Sequence, residues 1–207
     1  MYDRFDHSEE IKDYLPLMID GLPIHEYGVS SGSTLQRALN VFKTEGKQFG
    51  EVFGFDSWLG LPDTKSEEWF AFDWEPGSFC ALKGFGVSTV EELLPLLREK
   101  IGYDVTFISG WFKDTLNKET AEKYGMKQAM YVNIDVDIYS STKQVLNFCL
   151  DNKIIDVGTV IRYDDWMSCG TSEGNQKAHY EVIKERGILF NRLSQNVFQY
   201  MGTIPKD

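Results

Sequence analysis

Apolar runs of strand length alternate with helical patterns along nearly the whole chain, and this alternation restricts the fold more than any other property of the sequence. Residues 24–29 (IHEYGV), 51–57 (EVFGFDS), 104–112 (DVTFISGWF), 128–136 (QAMYVNIDV) and 159–166 (TVIRYDDW) read as strands. Helical spacing occupies 33–44, 90–100, 115–125, 141–153 and 177–187. Repeated strand–helix units joined by right-handed crossovers build a doubly wound, mostly parallel α/β sheet. The chain closes with ILFNRL and NVFQYMG, separated by only Ser194 and Gln195, so a C-terminal antiparallel hairpin completes a seven-stranded sheet. Ser88 and Glu91 have capping-box spacing ahead of VEELLPLLREK, and Pro95 inside that run predicts a kink or an early end.

No linker or repeat divides the 207 residues, which read as a single domain over 1–207. One stretch is anomalous. Residues 58–86 are too long for an ordinary connection and rich in aromatics, as in WFAFDWEPGSF at 69–79; such an insertion serves as a lid or as a face for a second subunit, making a homodimer possible. A formal net charge of -11 makes nucleic acid and anionic membranes poor partners, because their phosphates would be repelled. Neither a membrane-length apolar stretch nor a signal-like N-terminus is present, so the expected location is cytoplasmic and the expected partner a small molecule. Three cysteines without CxxC spacing and three unpaired histidines disfavour a zinc enzyme or a histidine triad.

Ligands of open α/β sheets bind beyond the carboxyl ends of the strands. Here those ends carry a consistent polar series: Glu26, Gly28, Ser30, Gly32 and Ser33; Asp56 and Ser57; Ser109, Gly110 and Trp111; Asp135 and Asp137; Asp164 and Asp165. The EYGVSSGS turn either cradles a ligand with its glycines and free helix N–H groups or is simply a tight strand–helix turn. Its acidic first residue suits an amine or cation. Asp56 is placed to accept hydrogen bonds from ribose hydroxyls, or else to cap its own loop as an Asx turn. Ser109, Gly110 and Trp111 then suit the wall of a base, although Trp111 also suits a core position. Four carboxylates at two neighbouring strand ends repel one another unless a cation joins them, and oxygen-only ligands select Mg²⁺, Ca²⁺ or Mn²⁺. The alternative is a set of separate, solvated turn aspartates.

The stretch IDVDIYSST resembles the DxDx(T/V) motif of haloacid-dehalogenase phosphotransferases, which would make Asp135 a nucleophile. That family carries its nucleophile on the first strand, whereas here three strands precede it. A resemblance covering far more of the chain is carried by EYGVSSGSTLQRA, VFGFDSWLGLP, ISGWFKDTL, YVNIDVDIYSSTKQVL and IRYDDW. In this order they resemble class I S-adenosylmethionine-dependent methyltransferases, specifically the macrocin O-methyltransferase (TylF-type) family. The resemblance implies a Rossmann-like methyltransferase fold that transfers a methyl group to a hydroxyl of a sugar or other vicinal-diol metabolite. It implies that Glu26, Gly28 and Gly32 shape the methionine and ribose end of the cofactor site while Asp56 holds the ribose. It further implies that Asp135, Asp164 and Asp165 ligate Mg²⁺ or another hard divalent cation. With no histidine at the strand ends, Asp137, expected to point off its strand, is the candidate base beside Asp135. IRYDDW departs from the pattern by carrying Arg162 in a strand that is usually apolar. A degenerate methyltransferase fold serving only as a binding module is the alternative from another functional class.

Overall fold

In the computed structural model, residues 10–63, 75–167 and 173–204 are described. The leading turn of helix, α1 (Ile11–Tyr14), and a 3-10 turn precede strand β1 (Ile24–Tyr27) and helix α2 (Ser33–Thr44). Strand β2 (Val52–Asp56), short helix α3 (Ala81–Phe85), α4 (Val90–Ile101) and β3 (Thr106–Ser109) follow. Next come α5 (Phe112–Thr115), α6 (Lys118–Lys123), β4 (Tyr131–Ile134), α7 (Tyr139–Asp151) and β5 (Val160–Tyr163). The chain then forms α8 (Gly174–Arg186), β6 (Ile188–Arg192) and β7 (Val197–Thr203).

These strands make one seven-stranded sheet in the order β3-β2-β1-β4-β5-β7-β6. The first five run parallel, and β7 lies antiparallel between β5 and β6. The chain winds outward from β1 to β3 and then returns to place β4 on the other side of β1. That reversal opens a crevice between the ends of β1 and β4, which is where such sheets bind ligands. Strands β1, β4 and β5 are buried along their whole length, as their apolar runs require. Leu35, Leu39 and Phe42 of α2 and Leu93 and Leu97 of α4 cover one face of the sheet together with Ile24 and Val160. Val145, Leu146 and Cys149 of α7 and Val182 of α8 cover the other, against Tyr27, Val132 and Ile161.

Local details differ from the sequence expectations for identifiable reasons. The capping box sits one residue later than expected: Thr89 Oγ1 accepts from Glu92 N at 3.2 Å, and the Glu92 carboxylate accepts from the backbone N–H groups of Thr89 and Ser88. Helix α4 runs unbroken through Pro95. Replacing Thr89 by alanine should cost about 1 kcal/mol, or roughly 2–4 °C in melting temperature, whereas Ser88→Ala should leave the melt unchanged. The helix expected at 115–125 is two short ones, because Asn117 breaks the run and caps α6 through Thr120 N. The hairpin turn spans residues 193–196, with Leu193 N and Ser194 N both donating to Val197 O.

The aromatic insertion has fixed roots. Trp58, at φ 67, is fully buried, and its indole N–H donates to Ser109 Oγ at 2.7 Å. Leu61 N donates to Ser78 O, and Gly77 N returns the bond to Leu61 O, each at 2.9 Å, so the segment leaves and re-enters through a paired neck. Residues 64–74 of the expected lid lie outside the described residues. Among the described residues no helix is long and apolar enough to cross a membrane.

Candidate functional site

A cleft of about 980 Å³ opens at the carboxyl ends of the parallel strands, centred on the β1/β4 switch. Of the residues singled out in the sequence, Gly28, Ser30, Ser33, Asp56, Ser57, Gly110, Trp111, Asp135, Asp137, Asp164 and Asp165 line it. The volume is at the upper end of the range for small-molecule sites, which leaves room for a nucleoside-sized cofactor and a small acceptor together.

Gly28 is where β1 must pass closest to β4. Its φ is 86°, and a Cβ there would sit 1.7 Å from the Asp135 carbonyl oxygen. Asp56 ties the first two strand ends together: Oδ2 accepts from Ser30 N at 2.7 Å and Oδ1 from Trp58 N at 2.6 Å. The second bond is the Asx turn expected as the alternative role. The backbone N–H groups of Val29 and Ser57 also act on this carboxylate, which lines the cleft. Burial pushes the Asp56 carboxyl up, and the backbone donors oppose that shift.

Three expected residues stand elsewhere. Glu26 lies beneath the cleft within β1 and is 1% exposed, because its position in the strand turns it onto the α2/α4 face of the sheet rather than toward the edge. Gly32, at φ 73, is the N-cap of α2, where a Cβ would press against the Ile101 side chain at 2.9 Å; it serves helix packing. The Ser109 hydroxyl is occupied by Trp58 and does not line the cleft.

At the other end of the cleft, Asp135, Asp164 and Asp165 each present an oxygen within 4.8 Å of the others. Burial and the charges of Asp164 and Asp165 raise the Asp135 carboxyl well above the ordinary carboxylate range. An all-carboxylate set pressed together against its own repulsion fits a hard divalent cation, which would relieve the repulsion and satisfy the oxygens. Asp137 is not on the strand as expected. It follows β4 at φ 59, the centre of a tight turn in which Ile138 N donates to Val136 O at 2.6 Å. Such γ-turns are strained and concentrate at functional sites. Burial raises the Asp137 carboxyl, as do the charge of Asp165 and a side-chain hydrogen bond with it.

Sequence reading passed over Arg37, Ser140 and Gln144, all of which line the cleft, as does Phe79 at the end of the expected lid. Ser140 and Gln144 lie four apart at the start of α7, so their shared face was visible, but nothing marked that face as the one beside Asp137. Beneath the acid cluster lies a polar row in register across three strands, Glu26, Asn133 and Arg162. Burial pushes the Glu26 carboxyl up to about 8, with Arg162 acting in the opposite direction.

Comparison with known proteins gives one family and several solved folds. The profile of the macrocin O-methyltransferase family (TylF) matches residues 17–188. None of the curated proteins compared with the chain matches it. The O-methyltransferase NovP superimposes with a TM-score of 0.63 at 20% identity, covering 96% of this chain and 80% of that one. Apo CalS11, described as a TDP-rhamnose 3'-O-methyltransferase of calicheamicin biosynthesis, gives 0.57 at 16% identity over 98% and 81%. An O-methyltransferase from Bacillus cereus in complex with SAH gives 0.52 at 13% identity over 95% and 79%. At these identities the three likenesses establish the shared fold.

Proposed function

The chain belongs to the macrocin O-methyltransferase family, and we propose that it methylates a hydroxyl of a sugar or other vicinal-diol small molecule, using S-adenosylmethionine and a divalent cation. The observation that carries this reading is the juxtaposition, in one cleft, of a nucleoside-sized end framed by Gly28, Ser30 and Asp56 with the acid triad Asp135, Asp164 and Asp165. The sugar-directed CalS11 shares the fold and supports the substrate class.

The cofactor supplies a sulfonium methyl, and the transfer forms an O–CH₃ bond as the S–CH₃ bond breaks. Asp56 and Ser30 would fix the ribose, with Gly28 allowing the backbone to approach the methionine portion. Trp111 and Phe79, both on the cleft wall, would exclude water from the reacting pair. The triad would hold a hard cation whose Lewis acidity lowers the pKa of a coordinated hydroxyl. Asp137, beside Asp165 and facing the same cleft, would take the hydroxyl proton. The main service of all these groups is alignment, because in-line displacement depends on holding oxygen, methyl and sulfur collinear.

Thermal melts of the full chain with S-adenosylhomocysteine, with and without Mg²⁺, test the reading. Stabilisation by each ligand, and by both together, is expected; indifference to both would leave only a degenerate binding fold. A response to phosphate plus Mg²⁺ but not to the nucleoside would restore the phosphotransferase.

A further inference from the structure

Arg162 interrupts an otherwise apolar strand, VIRY, whose four residues are all buried. Its side chain is 3% exposed, and its guanidinium reaches in two directions. Nη2 donates to Asp164 Oδ1 at 2.7 Å, and Nη1 donates to Asn133 Oδ1 at 3.0 Å on the neighbouring strand. Beyond Asn133 in the same row lies Glu26, whose carboxyl a side-chain hydrogen bond from Asn133 pulls down, while Arg162 Nε has no hydrogen-bond partner among the described residues. A buried guanidinium is costly unless opposite charges surround it. Here Glu26 lies on one side and Asp164 and Asp135 on the other, while Tyr131 also faces it. This cation therefore does for Asp164 part of what a metal ion would do: it compensates the carboxylate and fixes one of its oxygens.

We propose that Arg162 is the internal counter-cation of the acid triad, holding Asp164 in place before a metal arrives and lowering the affinity with which the metal binds. The inference rests on the reading that Asp135, Asp164 and Asp165 take a divalent cation. Two effects oppose each other. The clamp preorganises one ligand, which favours metal, while a fixed positive charge one carboxylate away repels it. A unit charge so close to a divalent ion weakens binding by roughly tenfold even at the dielectric of bulk water, and by more where water is excluded. Orientation of a single carboxylate by one hydrogen bond is worth less, so repulsion dominates. Arg162 is thus a positioning residue that makes the site assemble empty and bind its metal sparingly.

The test is a calorimetric titration of the full chain with MgCl₂, without cofactor, alongside melts at each Mg²⁺ concentration. Arg162→Gln should bind Mg²⁺ at least tenfold more tightly than the wild type, and its melting temperature should be lower without metal and recover as Mg²⁺ is added. Arg162→Lys, which keeps the charge, should stay within about threefold of the wild-type affinity. The double variant Glu26→Gln/Arg162→Gln removes the guanidinium together with the carboxyl that burial keeps largely protonated, and carries the same expectation should the single variant not fold. Equal or weaker Mg²⁺ binding by the charge-removing variants, with the wild type binding normally, overturns the inference alone. Absence of Mg²⁺ binding by the wild type and every variant overturns it together with the metal reading.

Discussion

Replacing Asp135 by asparagine is expected to cut methyl transfer sharply while making the metal-free protein harder to melt. Asp135 is the triad member held closest to the β1/β4 crevice, its own N–H bonded to Tyr27 O at 2.9 Å, so the backbone that positions it does not depend on its charge. The side-chain exchange is isosteric and removes one of three mutually repelling carboxylates. A ligand lost from a Lewis-acid site that orients the nucleophile should lower kcat by roughly 10²- to 10³-fold and weaken Mg²⁺ binding by more than about tenfold. Stability moves the other way. Burial raises the Asp135 carboxyl, so the native protein binds a proton there more readily than the unfolded chain does. Its contribution is therefore complete below the ordinary carboxylate value of about 4 and is lost as the pH climbs through the raised one. At neutral pH without metal the charge is a net burden, and Asp135→Asn should raise the melting temperature by ~3 °C, equivalent to about 1 kcal/mol in a chain of this size. S-adenosylhomocysteine should still stabilise the variant. A variant that keeps its activity, or that melts lower without metal, contradicts the assignment of Asp135 to the cation.

The second large effect is structural and sits directly opposite. Gly28→Ala would place a methyl group 1.7 Å from the Asp135 carbonyl oxygen at a residue with φ 86°. The atom in the way is backbone within the central strand pair, so relief requires β1 and β4 to separate at the crevice. A loss of more than about 3 kcal/mol is expected, or roughly 10 °C in melting temperature, together with loss of the S-adenosylhomocysteine response. Gly46→Ala provides the contrast. Its φ of 70° is equally left-handed, but nothing lies within 4 Å of the added carbon, so it should cost only about 1 kcal/mol. Equal losses for the two would mean that backbone strain, and not the approach of the strands, makes Gly28 necessary.

The sheet was readable in the sequence because apolar runs of strand length require burial on both faces, and the acids that end them then fall on one edge. The three aspartates of the acid triad illustrate this. Asp135 and Asp164 are 29 positions apart in the chain, but β4 and β5 pair in register, with Ile134 opposite Tyr163. Where the reading erred, the deciding contact came from far along the chain or from the parity of a strand. Ser109 is taken by Trp58, an indole 51 residues earlier that looked like the beginning of a lid and is instead core. Glu26 carries the right chemistry, but its place within β1 turns it under the crevice. Asp137 was read as a strand residue; a single left-handed turn, which sequence patterns do not announce in an aspartate, aims it instead. Arg162 was visible from the start as an oddity. Only the bonds to Asn133 and Asp164 gave that oddity a purpose.

The paired neck of the aromatic insertion has a bearing on how such a chain can vary its sequence. Leu61 joined to Gly77 and Ser78, with Trp58 anchored in the core behind them, brings the two ends of the segment together at the body of the domain. Substitutions, insertions or whole exchanges made between Pro62 and Pro76 leave both anchors and every strand untouched. Selection, or an engineer, can therefore change the sequence between those two ends without renegotiating the stability of the strands. Length and composition there are a detachable trait, carried on a cassette with two fixed ends.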